Sequence, residues 1–169
     1  MNIKKISVTN LVKVSVIAAL YVVLTMAVAP ISYGSIQFRI SEVLNLLVFF
    51  NPIYGISLII GCALSNMFSP FGIYDVVFGT LSTAISVYFI AKSKNLFVAS
   101  LWPSLFIPII VGIEITILNS SAGEVTTLVT FIATAASILA SEFIVMTIIA
   151  YPLFNVLSRN ERLISYVRS

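Results

Sequence analysis

The 169-residue chain has no histidine, one cysteine (Cys62) and only 9% charged residues. An ordinary soluble domain is about 25% charged. Zinc sites, haem ligation and Cys–His catalysis all draw on residues that are scarce or missing here, so neither a metal nor a cofactor is expected. Cys62 reads as a small apolar filler within a helix. The phosphate-cradling pattern G-x-x-x-x-G-K-[ST] does not occur, which excludes an internal ATPase of that kind.

What is abundant is apolar surface. Apolar residues make up 60% of the chain, and mean hydropathy is +1.13. A soluble fold of this length cannot hide so much, so the chain reads as an integral membrane protein. The apolar runs are continuous rather than alternating, which favours helices over a barrel. At about 20 residues per crossing there is room for about six helices and little else. The expected fold is therefore all-α, a single transmembrane domain over 1–169. Its spans fall near 11–29, 42–50, 53–68, 73–91, 96–118 and 125–157. The last is long for one perpendicular span and is expected to tilt or to project from the bilayer. Pro103 and Pro108 should kink the fifth. No small-residue cleavage site follows the first apolar run, so no cleaved signal is expected.

Six spans place Lys4, Lys5, Lys13, Lys92, Lys94, Arg159, Arg162 and Arg168 on one side and Arg39 on the other. This bias puts both termini in the cytoplasm of a multi-pass plasma-membrane protein. The basic tail reads as a topology and headgroup signal, with no nucleic-acid partner.

Four carboxylates lie within or beside apolar runs: Glu42, Asp75, Glu114 and Glu142. Each costs about 2.5–3.5 kcal/mol at mid-bilayer, so such groups face a cavity or a partner. With Gln37, Arg39 and Asn66 they converge on the outer half, while the inner half reads as apolar. That pattern predicts a ligand pocket open to the outside, not a channel, which would be polar along its length. The segment 32–41 is expected to act as its lid, with Gln37 as a hydrogen-bonding group and Arg39 pairing with Glu42 or Asp75. Trp102, Tyr33, Phe38, Phe71 and Tyr74 could stack on a flat ligand, although aromatic residues also anchor helices at interfaces. Four acids against one base favour a cationic, donor-rich ligand. Ser15, Ala18 and Ala19 form a small-residue stripe on the first span, suited to close approach by another helix, inside the bundle or outside it.

The run Gln37-Phe38-Arg39-Ile40-Ser41-Glu42 resembles the queuosine-precursor transporter family, as do residues 61–66 (Gly-Cys-Ala-Leu-Ser-Asn) and 75–80 (Asp-Val-Val-Phe-Gly-Thr). Ser141-Glu142-Phe143 and Tyr151-Pro152-Leu153 resemble that family's last helix, where glycine is more usual than Ser141. The resemblance covers most of 11–155. It implies a six-helix S-component bundle of an energy-coupling factor transporter, with a 7-deazaguanine queuosine precursor as ligand. It also implies a transmembrane coupling subunit contacting Ser15, Ala18 and Ala19, and two cytoplasmic ATPases. A small proton-coupled carrier is the alternative, since embedded carboxylates are what such carriers use, though no inverted repeat is visible. An intramembrane enzyme lacks a nucleophile–base pair.

Overall fold

A computed structural model describes residues 8–33, 36–121 and 128–168. Lys4, Lys5 and the loop residue Glu124 lie outside them. The described elements are all helical. Helix α1 is Val8–Ala27 and α2 is the short Ala29–Ser32, opened by Pro30. A 3-10 segment, Ile40–Leu46, runs directly into α3, Leu47–Phe50. Then come α4 (Tyr54–Asn66), α5 (Ile73–Lys92) and α6 (Leu96–Ser121). Helix α7 (Leu128–Phe143) continues through a π segment, Ile144–Ala150, into α8 (Tyr151–Leu157), and α9 is Glu161–Arg168.

Four stretches are long and apolar enough to cross a membrane: α1, α5, α6 and the continuous run Leu128–Leu157. Ile40–Phe50 and Tyr54–Asn66 are apolar but shorter. The structure therefore defines an all-α membrane bundle.

Neighbours pack in the order α1, α4, α5, α6, α7. The 3-10 segment is the hub, touching α1, α4, α5, α6 and the π segment. Irregular backbone is tolerated at membrane depth only where protein encloses it. Here Ser41, Glu42, Asn45 and Leu46 are buried. The π segment also has a local cause. Pro152 has no N–H for the carbonyl four residues back, and the wider turn instead sends the Tyr151 N–H to the Met146 carbonyl, five residues back.

Helix α1 is peripheral, its buried residues being Ala18, Tyr21 and Thr25. It meets α4 at Gly61, where a Cβ would lie 3.0 Å from the Ala18 carbonyl oxygen and 2.9 Å from Tyr21 Cβ. This corrects one expectation about the small-residue stripe. Ala18 is buried in the α1–α4 contact and is not on the outer surface, whereas Ser15 and Ala19 are exposed. The basic tail also has structure: α9 packs on α3, and Asn51 donates to the carbonyls of Val167 and Arg168 at 3.3 Å.

Candidate binding site

The polar residues that stand out in the apolar sequence come together around the hub. Gln37, Arg39, Glu42, Asn66, Asp75, Glu114 and Glu142 are each at most 4% exposed. Sealed from solvent, these side chains do not line the pocket open to the outside that the sequence suggests.

Asp75 is placed by the turn before it. Gly72 sits at φ +58°, a conformation that favours glycine. It lets α5 start so that Asp75 falls in the first turn, where the helix dipole favours a carboxylate. The Ser69 hydroxyl donates to Asp75 Oδ2 and accepts the Phe71 N–H at 3.1 Å. Arg39 Nη2 is 4.0 Å from the same Asp75 oxygen. The rest of the Arg39 guanidinium is fixed by Nε donating to the Ser32 carbonyl at 2.9 Å, by Nη1 lying 3.9 Å from Cys62 Sγ, and by the Tyr33 ring 5.3 Å away. Burial raises the pKa of the Tyr33 phenol, which stays neutral and donates to the Ser65 carbonyl at 2.7 Å.

Asn66, at the end of α4, donates to the Asp75 carbonyl at 2.7 Å, leaving its own Oδ1 unpartnered. Gly79 makes room for it, since a Cβ there would collide with the Asn66 amide. Glu114, from α6, lies against Asp75. Neither of its oxygens has a hydrogen-bond partner, because two carboxylates bond only through a shared proton.

Glu42 is held differently. It accepts from the Tyr21 hydroxyl of α1 and from the Asn45 amide. Both of its oxygens are engaged, so Glu42 braces the hub. Glu142 lies within electrostatic reach of Glu42, and its Oε2 is unpartnered. Next to it, the Ser141 hydroxyl donates to the Ile36 carbonyl and ties residues 36–39 to the last long helix. Positions 34 and 35 of the expected lid lie outside the described residues.

Trp102 is not part of this cluster, which corrects its expected place beside a ligand. It sits near the start of α6, donates to Ser93 Oγ at 2.9 Å and packs on Phe89 with ring centroids 4.9 Å apart. Twelve residues separate it from Glu114, about 18 Å along a helix. Its surroundings are those of an interfacial aromatic anchor.

Two further features escape a reading of the sequence. Tyr21 is completely buried and reaches Glu42 from within the first apolar run. A phenol in mid-span is itself a polar signal, because its hydroxyl needs a partner there. The half of the bundle away from the carboxylates is also not purely apolar: Ser57, Ser82, Ser86, Ser100, Ser104 and Thr147 are buried in it. Ser82, Ser86 and Ser100 donate to carbonyls of their own helices, so single helices conceal them.

A helical membrane bundle closed around ionisable side chains, kept there at an energetic cost, has the build of a polytopic solute transporter. Residues 11–159 match the family model described as QueT transporter, and the chain belongs to that family. Its family is one of transporters, not enzymes. A stretch of 84 residues is 49% identical to the queuosine precursor transporter QueT of Lactococcus lactis subsp. cremoris (strain MG1363). That match spans 48% of this chain and 49% of the relative, about half the length of each. No solved structure matches the chain.

Proposed function

We propose that this chain captures a queuosine precursor from outside the cell, as the substrate-binding subunit of an ATP-driven energy-coupling factor importer. In this reading 40–50 and 54–66 join the four longer stretches as membrane crossings, making six. They are about 20 Å long, and α4 presents Ile56, Ile60 and Leu64 on an exposed apolar face suited to lipid. Both termini then face the cytoplasm, as the one-sided Lys and Arg distribution requires. The exposed Ser15 and Ala19 face is where a transmembrane coupling subunit would dock, with two cytoplasmic ATPases beneath it.

The observation that carries the ligand assignment is the set of sealed acceptors that no donor meets: Asn66 Oδ1, Glu142 Oε2 and the Asp75–Glu114 pair, whose oxygens only a shared proton could link to each other. Leaving such groups unpaired costs about 1–3 kcal/mol each, more when charged. A donor-rich cation satisfies them. 7-Aminomethyl-7-deazaguanine offers a ring N–H beside an exocyclic amine, which one carboxylate can accept together, and an ammonium for a second carboxylate. We assign Glu114 and Glu142 to the base donors and Asp75 to the ammonium. The relative named as a queuosine precursor transporter supports the same class of ligand.

A second reading rests on the contact between Asp75 and Glu114 and the proximity of Glu42 and Glu142. Carboxyl pairs of this kind can carry protons in a small secondary carrier.

Titration of the purified protein with the amine and with its nitrile analogue tests the ligand assignment. Glu142→Gln should weaken both by about 10- to 150-fold, the loss of one charged hydrogen bond. Asp75→Asn should weaken the amine far more than the nitrile. Equal affinity of the wild type for the two would remove the case for a cationic ligand. Uptake by vesicles that follows a proton gradient and ignores the ATPases would establish the carrier instead.

A further inference from the structure

Gln37 is the described residue other than glycine with a left-handed backbone, at φ +47°. An ordinary L-residue avoids this region, and one held there at a buried position often marks a functional constraint. The segment around it is tied on several sides. The Phe38 N–H donates to the Ile31 carbonyl at 2.8 Å, Arg39 Nε to the Ser32 carbonyl, Tyr33 to the Ser65 carbonyl, and Ser141 to the Ile36 carbonyl. One flanking residue, Ile36, is thus anchored beside Glu142. The other anchored residue, Arg39, reaches Asp75. Gln37 lies between these anchors and is 1% exposed.

Its Nε2 has no hydrogen-bond partner. The other unpartnered buried side-chain nitrogen among the described residues is Arg39 Nη2, which is already in an ion pair with Asp75. The Asn66 amide nitrogen is spent on the Asp75 carbonyl. The cluster therefore offers acceptors on Glu114, Glu142, Asp75 and Asn66, and on Gln37 an amide donor that is not committed elsewhere. A base of the guanine type has the complementary pattern: several donors, and a ring carbonyl oxygen next to the ring N–H that a carboxylate would accept.

We propose that Gln37 is a specificity-determining residue of the cluster, its Nε2 donating to the ring carbonyl oxygen of the bound base. The left-handed backbone fixes the direction in which that buried amide leaves the chain, between the anchored Ile36 and Arg39. This role rests on the ligand reading above and adds the contact that separates an oxo base from bases lacking that oxygen.

The test pairs a change in the ligand with a change in the protein. The ligands are 7-aminomethyl-7-deazaguanine and its 6-thio analogue, which keeps the ring N–H but replaces the oxygen with a weak acceptor. Wild type should prefer the oxo base by about 2- to 12-fold, the contribution of one neutral hydrogen bond. Gln37→Gly removes the donor while suiting the left-handed backbone, so it should melt at or above the wild-type temperature. In that variant the two ligands should bind equally. Gln37→Glu, which sets an acceptor against the oxygen, should reverse the preference. If both ligands weaken in parallel and the oxo-to-thio ratio survives in Gln37→Gly, the residue only shapes the loop and the proposal is overturned. If the wild type binds neither ligand, the ligand reading itself fails and this role fails with it.

Discussion

The approach of α1 to α4 at Gly61 can be tested within one helix, because α4 carries a second glycine in a different setting. A Cβ at Gly61 would lie 2.9 Å from Tyr21 Cβ and 3.0 Å from the Ala18 carbonyl oxygen. A Cβ at Gly55 would meet Val87 Cγ2 at 3.6 Å, an ordinary contact. Alanine brings both sites the same gain in helix propensity, about 1 kcal/mol at most, so that gain cancels in the comparison. What remains is overpacking at Gly61, about 1–3 kcal/mol, since the carbonyl belongs to the α1 backbone and can only move with the helix. For a chain of this size each kcal/mol shifts the melting temperature by about 2–4 °C. Gly61→Ala should therefore melt about 2–12 °C below Gly55→Ala, which should match or exceed the wild type. Pushing α1 outward also withdraws the Tyr21 hydroxyl from Glu42, so Gly61→Ala should lose ligand affinity while Gly55→Ala retains it. The measurement is thermal unfolding of the detergent-solubilised protein, followed by ligand titration. Equal melting temperatures for the two variants would refute the close approach and, with it, the wedging of α1 against the site.

Two further outcomes are expected. A cysteine placed at Lys92 in a Cys62→Ser background should react with an impermeant thiol reagent from the cytoplasmic side, and one at Ser120 from the outside; labelling of both from one side would end the six-crossing topology. Ser15→Leu or Ala19→Leu should weaken co-purification with a coupling subunit and leave ligand affinity intact, because both residues are exposed; loss of ligand binding with assembly preserved would make this face part of the bundle's own packing.

The buried polar cluster was legible as costly groups in apolar surroundings. Glu114 and Glu142 interrupt long apolar runs, and only a partner or cavity explains their presence. The long helices were legible for the complementary reason, the length of those runs. The 3-10 hub was not, because an apolar stretch of eleven residues has no periodicity that distinguishes α from 3-10 geometry. Neither was the inward turn of Ala18. Small-residue spacing shows that a helix can be approached closely but not from which side, and the answer depended on Gly61. Trp102 was misplaced because stacking on a ligand and anchoring at an interface call for the same ring. The buried hydroxyls of Ser82, Ser86 and Ser100 escaped notice because serine in a helix can satisfy itself on its own backbone.

The placement of the carboxylates has a consequence for biogenesis. Each long helix must partition into lipid before its cluster partners arrive, and a lone carboxylate there works against partitioning by about 2.5–3.5 kcal/mol. A Leu, Ile, Phe or Val near mid-helix returns only about 0.3–0.6 kcal/mol, so one acid offsets roughly four to twelve of them. The two helical runs that carry an acid away from their ends are also the longest and most apolar. Leu96–Ser121 reaches a mean hydropathy of 2.2 and Leu128–Leu157 reaches 2.0, against 1.9 for Val8–Ala27 and 1.5 for Ile73–Lys92. Ile73–Lys92 does with less because its acid, Asp75, lies in the first turn, close to the helix end. Part of the apolarity of α6 and of the α7–α8 run thus serves to carry Glu114 and Glu142 into the bilayer. Polar substitutions on the lipid-facing sides of these two runs should therefore reduce the yield of inserted protein before they alter what it binds.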